Sequence, residues 1–273
     1  MHETSDEMAV VRDIQLKILP ILDRFDAVCR KHGIRYYLGF GSLIGAVRHH
    51  GYIPWDDDVD LIMTRDEYLR FRQVFSEMGP DIVIQDQDNS SDMFVTFPKV
   101  RSTADLGYIE RDAENLTKNA GLYLDIFVLD YVPKKRSPVQ WLVFAFMRGV
   151  SHMLDARQFW GVYPEAWRQV AHTIASWAPL SVYAALLKWS THVWWKTDYV
   201  VCYAYMTWGA IPKAWLGDPV LADFEGRRLP IPHDADSVLR WWYGDYMQLP
   251  PPDQRVPHHS VQATGPTSVD SAS

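Results

Sequence analysis

The stretch Leu38-Gly-Phe-Gly-Ser-Leu-Ile-Gly-Ala-Val-Arg-His-His-Gly-Tyr-Ile-Pro-Trp-Asp-Asp-Asp-Val-Asp-Leu-Ile-Met63 places four carboxylates, Asp56, Asp57, Asp58 and Asp60, within five positions. Its end, Val59–Met63, reads as a short β-strand. Strand side chains alternate between faces, so this reading puts Asp56, Asp58 and Asp60 on one side and Asp57 on the other. Like charges crowded there raise the free energy of the site unless a cation neutralises them, and hard carboxylate oxygens suit Mg²⁺ or Mn²⁺. The start of the stretch supplies a second element. Gly39-Phe40-Gly41-Ser42 follows a β-like run, Ile34–Leu38, and precedes a helical one, Ser42–Arg48. A glycine-bearing turn that opens a helix leaves N–H groups free to hold a phosphate, and Ser42 is a candidate N-cap. A Gly-Ser turn alone is more often plain capping, and an Asp pair alone a solvated turn. Turn, short helix and carboxylate strand in one segment bring phosphate donors and metal ligands to one cleft.

Upstream, Val11, Ile14, Ile18, Ile21, Leu22, Phe25 and Cys29 recur at helical spacing, predicting an amphipathic helix over 8–32 that stops at Gly33. Downstream, β-like runs at Ile82–Gln85, Met93–Val100 and Leu122–Leu129 and a helix over Arg65–Met78 complete a mixed α/β or α+β core. Asp125 interrupts the last apolar run. A lone buried charge is costly, so Asp125 either pairs structurally at a sheet end or completes a carboxylate triad with Asp58 and Asp60. Asp130, at the exit of that run, reads as a turn residue. In Phe97-Pro98-Lys99-Val100-Arg101, alternation puts Lys99 and Arg101 on one strand face, turned toward phosphate oxygens or toward solvent.

After Pro133-Lys134-Lys135-Arg136 the texture changes to Trp-, Ala- and Leu-rich stretches with helical character. The chain divides accordingly into a core, residues 1–136, a helical lobe, 137–208, a Pro-punctuated segment, 209–259, and a tail, 260–273, with the polar composition of disorder. Tyr243, Tyr246, Met247 and Leu249 offer the third segment enough apolar area to fold back on the core, whereas the tail offers none and is expected to be dispensable. Seven Trp of the lobe, from Trp141 to Trp195, read either as its core or as a face turned to a membrane surface.

At 48% hydrophobic and 22% charged, a 273-residue chain is neither wholesale disordered nor fibrous. Its 27 basic against 34 acidic residues, net −7, argue against a nucleic-acid partner bound by broad phosphate neutralisation. Cys29 and Cys202 lie far apart without a CxxC, and no His pair has the i,i+4 spacing of a zinc helix. The first residues carry no basic and apolar leader, and the most apolar stretch, Val139–Met153, is broken by Arg148 and His152 and is shorter than the ~20 residues of a spanning helix. The expected location is cytoplasmic, with peripheral contact at the inner face of the cell membrane as the membrane role left open.

Taken together, GSLIGAVRHHGYIPWDDDVDL at Gly41–Leu61, FPKVR at Phe97–Arg101, LDIFVLD at Leu124–Asp130 and YGDYMQLPPPDQRVPHH at Tyr243–His259 resemble the LicD family of phosphotransferases, which includes fukutin and fukutin-related protein and lies in the nucleotidyltransferase-fold superfamily. The resemblance implies an α+β fold, a nucleotidyltransferase-like mixed sheet with flanking helices, to which the Trp-rich lobe is added. It implies transfer of a phosphorylated alcohol, such as phosphocholine, from a CDP-activated donor to a hydroxyl of a cell-surface glycan or its lipid-linked precursor. Asp58, Asp60 and Asp125 then stand as metal ligands and catalytic carboxylates. Gly41, Ser42, Arg48, Trp55, Lys99, Arg101 and Arg255 stand as candidate substrate contacts, with a structural alternative for each. The competing reading is a glycosyltransferase that uses Asp58-Val59-Asp60 to hold a metal and a nucleotide-sugar. It expects a strand-rich half before that motif, where only one helix and one short strand are read.

Overall fold

A computed structural model of the chain describes residues 2–86, 97–110, 119–132, 138–158, 165–191, 197–202, 209–256 and 261–263. Helix α1 (His2–Lys31) carries the predicted stripe, and Gly33 ends it with φ +59, a left-handed conformation that glycine adopts without a Cβ penalty. The central sheet is built from β1 (Tyr37–Leu38), β2 (Asp60–Thr64), β3 (Ile82–Gln85), β4 (Lys99–Ser102) and β6 (Tyr123–Tyr131), in the order β1-β2-β6-β4-β3. β7 (Tyr199–Cys202) pairs with the end of β6, and β8 (Ile211–Pro212) with β7. Among the described strands only β2 and β6 run parallel, so the sheet is mixed. A parallel pair needs a long crossover. Here it includes α3 (Arg65–Val74), β3, β4 and the short β5 (Tyr108–Glu110).

Alternation along the two central strands explains the layers. Leu61 and Met63 of β2 and Leu124, Ile126 and Val128 of β6 pack with Ile14, Ile18, Leu22 and Phe25 of α1 and Tyr68 and Phe71 of α3. Ile62, Phe127 and Leu129 point the other way, onto Phe40, Leu43 and Ile44 of α2 (Phe40–Ile44), Leu216 of α7 (Lys213–Leu216) and Val238 and Leu239 of α8 (Ala235–Tyr243). Both faces are covered, which is why β6 is buried along its whole length. Truncating a residue such as Leu61 or Ile126, both fully buried, would cost about 2–5 kcal/mol.

Several short elements fall in stretches where none was expected. β7 falls inside the expected lobe, 137–208, yet belongs to the core sheet, because Leu129, Asp130 and Tyr131 leave an edge of β6 for it to complete. The Pro-punctuated segment contains a hairpin, β9 (Val220–Phe224) and β10 (Arg227–Ile231), closed by Glu225 and Gly226 with φ +52 and +73, as a two-residue turn between twisted strands requires. Part of the tail expected to be disordered is a strand: β11 (Val261–Ala263) pairs with β5, Val261 opposite Glu110. Residues 93–96 of the expected strand, and 260 and 264–273 of the expected tail, lie outside the described residues. The stretch expected as a lobe contains α4 (Pro138–Gln158), α5 (Ala166–Ala175) and α6 (Leu180–Thr191), among which Val150, Leu154 and Tyr183 form a small buried cluster. Among the described residues no helix is long and apolar enough to cross a membrane.

Candidate active site

Sheet register assembles the site. Asp60 lies opposite Asp125 in the β2–β6 ladder, and Asp125 opposite Lys99 in the β6–β4 ladder, so three neighbouring strands present a carboxylate, a carboxylate and an ammonium in one row. The row lies on the face covered by α2, since Asp60 alternates with Ile62 and Asp125 with Phe127. One carboxylate oxygen from each of Asp58, Asp60 and Asp125 lies within 4.8 Å of the other two. A second such group, Asp56, Asp57 and Asp58, adjoins it. The expected alternation of Asp56 to Asp60 does not hold, because the strand begins only at Asp60 and the four preceding residues form a loop. Asp57 is buried beside its neighbours rather than turned away.

The turn over the row is held in an uncommon conformation. Phe40 has φ +46, which costs a non-glycine residue about 1–3 kcal/mol and persists only when packing enforces it. Its ring stacks on Trp242 of α8 at 4.6 Å and meets Phe127 of β6 edge-on at 4.5 Å. The next N–H, that of Gly41, then donates to Asp60 Oδ2 at 3.2 Å. A Cβ on Gly41 would lie 2.5 Å from Asp56 Oδ2, so only glycine lets the carboxylates approach this backbone. Ser42 is not the N-cap. Gly39 occupies that position, and Ser42 is buried inside α2, its Oγ accepting the Asp60 N–H at 2.9 Å. The loop is braced from behind. Gln15 of α1, buried on an otherwise apolar stripe, donates to the carbonyls of Asp56 at 2.8 Å and Ile53 at 3.3 Å. Glu225 of the hairpin accepts the Tyr52 N–H at 3.2 Å and pairs with Arg12 at 2.7 Å.

Charge in the row is unbalanced. Lys99 is buried over the Tyr123 ring and its Nζ lies 2.9 Å from Asp125 and 3.1 Å from Glu110. Arg101 is fully buried and donates to Gln85, Gly121 and Glu110. Solvent is therefore not the partner of either cation, and Arg101 faces no open cleft: its hydrogen bonds hold Glu110 against Lys99. Burial, with Asp60, Asp56, Asp125 and Asp57 close by, pushes Asp58 well above the usual carboxylate range. Burial, Asp56 and Asp125 do the same to Asp60 against the opposing Gly41 N–H and Lys99. Burial also raises Asp125, with Lys99 opposing it. Among the described residues Asp58 accepts no hydrogen bond. A donor-free carboxylate beside two others, all oxygen ligands, fits a divalent cation.

The remaining candidates are placed as follows. Arg48, in the turn after α2, donates to the Tyr246 carbonyl, and Tyr246 is buried with Phe40, Leu43 and Ile44. Arg255 donates to the Pro250 carbonyl at 2.8 Å and has no carboxylate partner among the described residues. It lies near enough to Arg48 to add to the burial that lowers that guanidinium. Trp55 packs partly buried against the core shared by α2 and α8. Asp130 is not a turn residue: it is buried in β6 and forms a two-pronged pair with Arg65 at 2.7 and 2.8 Å. Glu110 and Gln15 escaped the sequence reading. Gln15 carried a signal, a polar residue on an apolar stripe, whereas Glu110 carried none.

Over residues 33–148, which hold every carboxylate of the row, the chain matches the family described as LicD/FKTN/FKRP, nucleotidyltransferase domain. It is 30% identical over 272 residues to the lipopolysaccharide cholinephosphotransferase LicD of Haemophilus influenzae, spanning 93% of this chain and 97% of that one. A 29-residue segment, 11% of this chain and 6% of the relative, is 66% identical to the ribitol 5-phosphate transferase FKRP of human and of mouse. With the row inside the matched region and the likeness extending along almost the whole length, the chain belongs to the LicD family of phosphotransferases.

Proposed function

We propose that the protein transfers a phosphorylated alcohol, of the phosphocholine or ribitol-phosphate kind, from a CDP-activated donor to a hydroxyl of a cell-surface glycan or its lipid-linked precursor, on the cytoplasmic side. The observation that carries this reading is the convergence of Asp58, Asp60 and Asp125 under the Gly41 turn. Support comes also from the relatives' activities as their names state them. In the reaction an acceptor hydroxyl attacks the distal phosphorus, the bond from that phosphorus to the bridging oxygen breaks, and CMP leaves.

Asp58, Asp60 and Asp125 are the residues that would hold Mg²⁺ or Mn²⁺, which when bound offsets diphosphate charge and stabilises the leaving phosphate. The chain's own groups do the positioning. Lys99 holds Asp125 in place, and the Gly41 N–H and the Ser42 hydroxyl fix the Asp60 side chain and backbone. Asp125 is the candidate to orient the acceptor hydroxyl. Arg48 and Arg255, two cations near each other with only carbonyl or imidazole partners among the described residues, suit the negative charge of the donor, and Trp55 suits a wall for its base. Incubating the purified protein and Mg²⁺ with a panel of CDP-alcohols, with and without glycan acceptor, should release CMP from one of them. Turnover of a UDP-sugar instead would favour the glycosyltransferase.

A further inference from the structure

The helical lobe turns an apolar stripe outward. Trp167, Val170, Ile174 and Trp177 recur at i, i+3, i+7 and i+10 along α5 and the turn after it, and are 59%, 58%, 56% and 88% exposed. The opposite side of α5 is the packed one: Ala175 is buried, and the His172 ring lies 2.9 Å from the Ala156 carbonyl of α4. An amphipathic helix of a globular domain buries its apolar stripe. α5 does the reverse. On α6, Trp189 is also 59% exposed, and Phe146 of α4, exposed too, meets it edge-on at 6.3 Å.

Charge says what such a stripe fits. Residues 134–196 carry eight Lys and Arg against two carboxylates, Asp155 and Glu165, a net +6 in a chain whose total is −7. Arg148 is exposed, and the Arg168 guanidinium sits 5.2 Å from the Trp167 ring centre. Tryptophan favours the headgroup level of a bilayer, and cations beside an apolar stripe favour anionic lipid. A second copy of this chain is the poorer occupant, because a two-fold contact would set one cationic lobe against the other. We propose that the α5 face docks on an anionic phospholipid surface, laying Trp167, Val170, Ile174 and Trp177 at the headgroup boundary while no described helix crosses the bilayer.

Vesicle flotation of the full chain tests this independently of the reaction. The protein should float with vesicles of phosphatidylcholine mixed with phosphatidylglycerol, and at least about tenfold less with phosphatidylcholine alone; high salt should release most of it. The triple variant Trp167→Ser/Ile174→Ser/Trp177→Ser should lose at least about tenfold in partitioning, since its apolar contribution is gone. Val170→Glu, a single exposed change, serves if the triple variant loses its circular-dichroism spectrum. Wild type left in the aqueous phase with both vesicles overturns the proposal. So does a folded variant that floats as well as wild type, or a wild-type dimer that the variant dissociates without any vesicle binding.

Discussion

In the β2–β6–β4 row carboxylates and a lysine turn inward; on α5 tryptophans turn outward. Each reverses the rule that apolar groups are buried and charges solvated, and the two reversals are handled differently. The inward charges have named partners: Asp60 has the Gly41 N–H, Asp125 has Lys99, and Glu110 has Lys99 and Arg101. Asp58 is left with like-charged neighbours. The outward tryptophans sit on α5 and in the turn after it, and the other side of that helix is already packed. In the core the departure from the rule fits a ligand of positive charge, and in the lobe it fits the proposed one of apolar surface and negative charge. The lobe's small core of Val150, Leu154 and Tyr183 leaves the stripe exposed.

The largest effect expected from breaking this contrast is on turnover. Asp60→Asn should lower kcat by about a thousandfold or more while the protein stays folded, because an amide keeps the shape and loses the charge. Equivalent changes on the α5 stripe should leave turnover of a soluble acceptor within about twofold, which parallel kinetics on both variants would check. Next comes the buried cation. Lys99→Met leaves Asp125 without its ammonium, and removing one partner of a buried pair costs about 3–5 kcal/mol. Urea unfolding should show that loss, and a midpoint equal to wild type would mean that Lys99 balances nothing.

Two glycines sharpen the comparison at smaller scale. A Cβ on Gly41 meets the Asp56 carboxylate at 2.5 Å, whereas one on Gly149 of α4 meets nothing within 4 Å. Gly41→Ala should therefore cut activity by about a hundredfold, since misplacing reacting groups by an ångström has that cost. Gly149→Ala should raise stability by about 0.5–1 kcal/mol through helix propensity with activity unchanged. The smallest effect concerns the C-terminus. Stopping after Ser260 removes β11 from β5, the strand that bears Glu110. Because Glu110 sets Lys99 and Lys99 sets Asp125, kcat should fall severalfold with a drop of a few degrees in Tm. An unchanged kcat would return the strand to the dispensable tail expected from composition.

The difference between what was legible and what was not follows the range of the interactions. Helix α1, the strands around Ile62 and Ile126, and the grouping of Asp58, Asp60 and Asp125 were readable because apolar periodicity and carboxylate crowding are local signals. β7, β8 and β11 were not, being short strands that exist only because a distant partner strand offers an open edge. The hydrogen-bond partners of Arg101 and Ser42 were not legible for a related reason. Spacing placed them on the correct elements, but burial by Tyr123, Glu110 and the β2 backbone, which decides what they bond, is a tertiary property. Glu225 and Gly226 did carry a signal, a two-residue turn between alternating runs, and three prolines around it obscured the hairpin.

The central claim is that a divalent cation offsets the carboxylates of the row, and thermal melts of wild type and Asp58→Asn with and without Mg²⁺ test it most directly. Asp58 is raised in the folded protein, so its contribution to stability is present at low pH and is lost as pH rises through its folded pKa. Without metal at pH 7, Asp58→Asn should accordingly melt at or above the wild-type temperature, and the gap should close as the pH is lowered toward the carboxylate range. Mg²⁺ in excess should raise the Tm of wild type by several degrees and leave the variant nearly unmoved. A wild type indifferent to Mg²⁺ and Mn²⁺, or an Asp58→Asn protein that melts lower without metal yet still responds to it, would contradict the account.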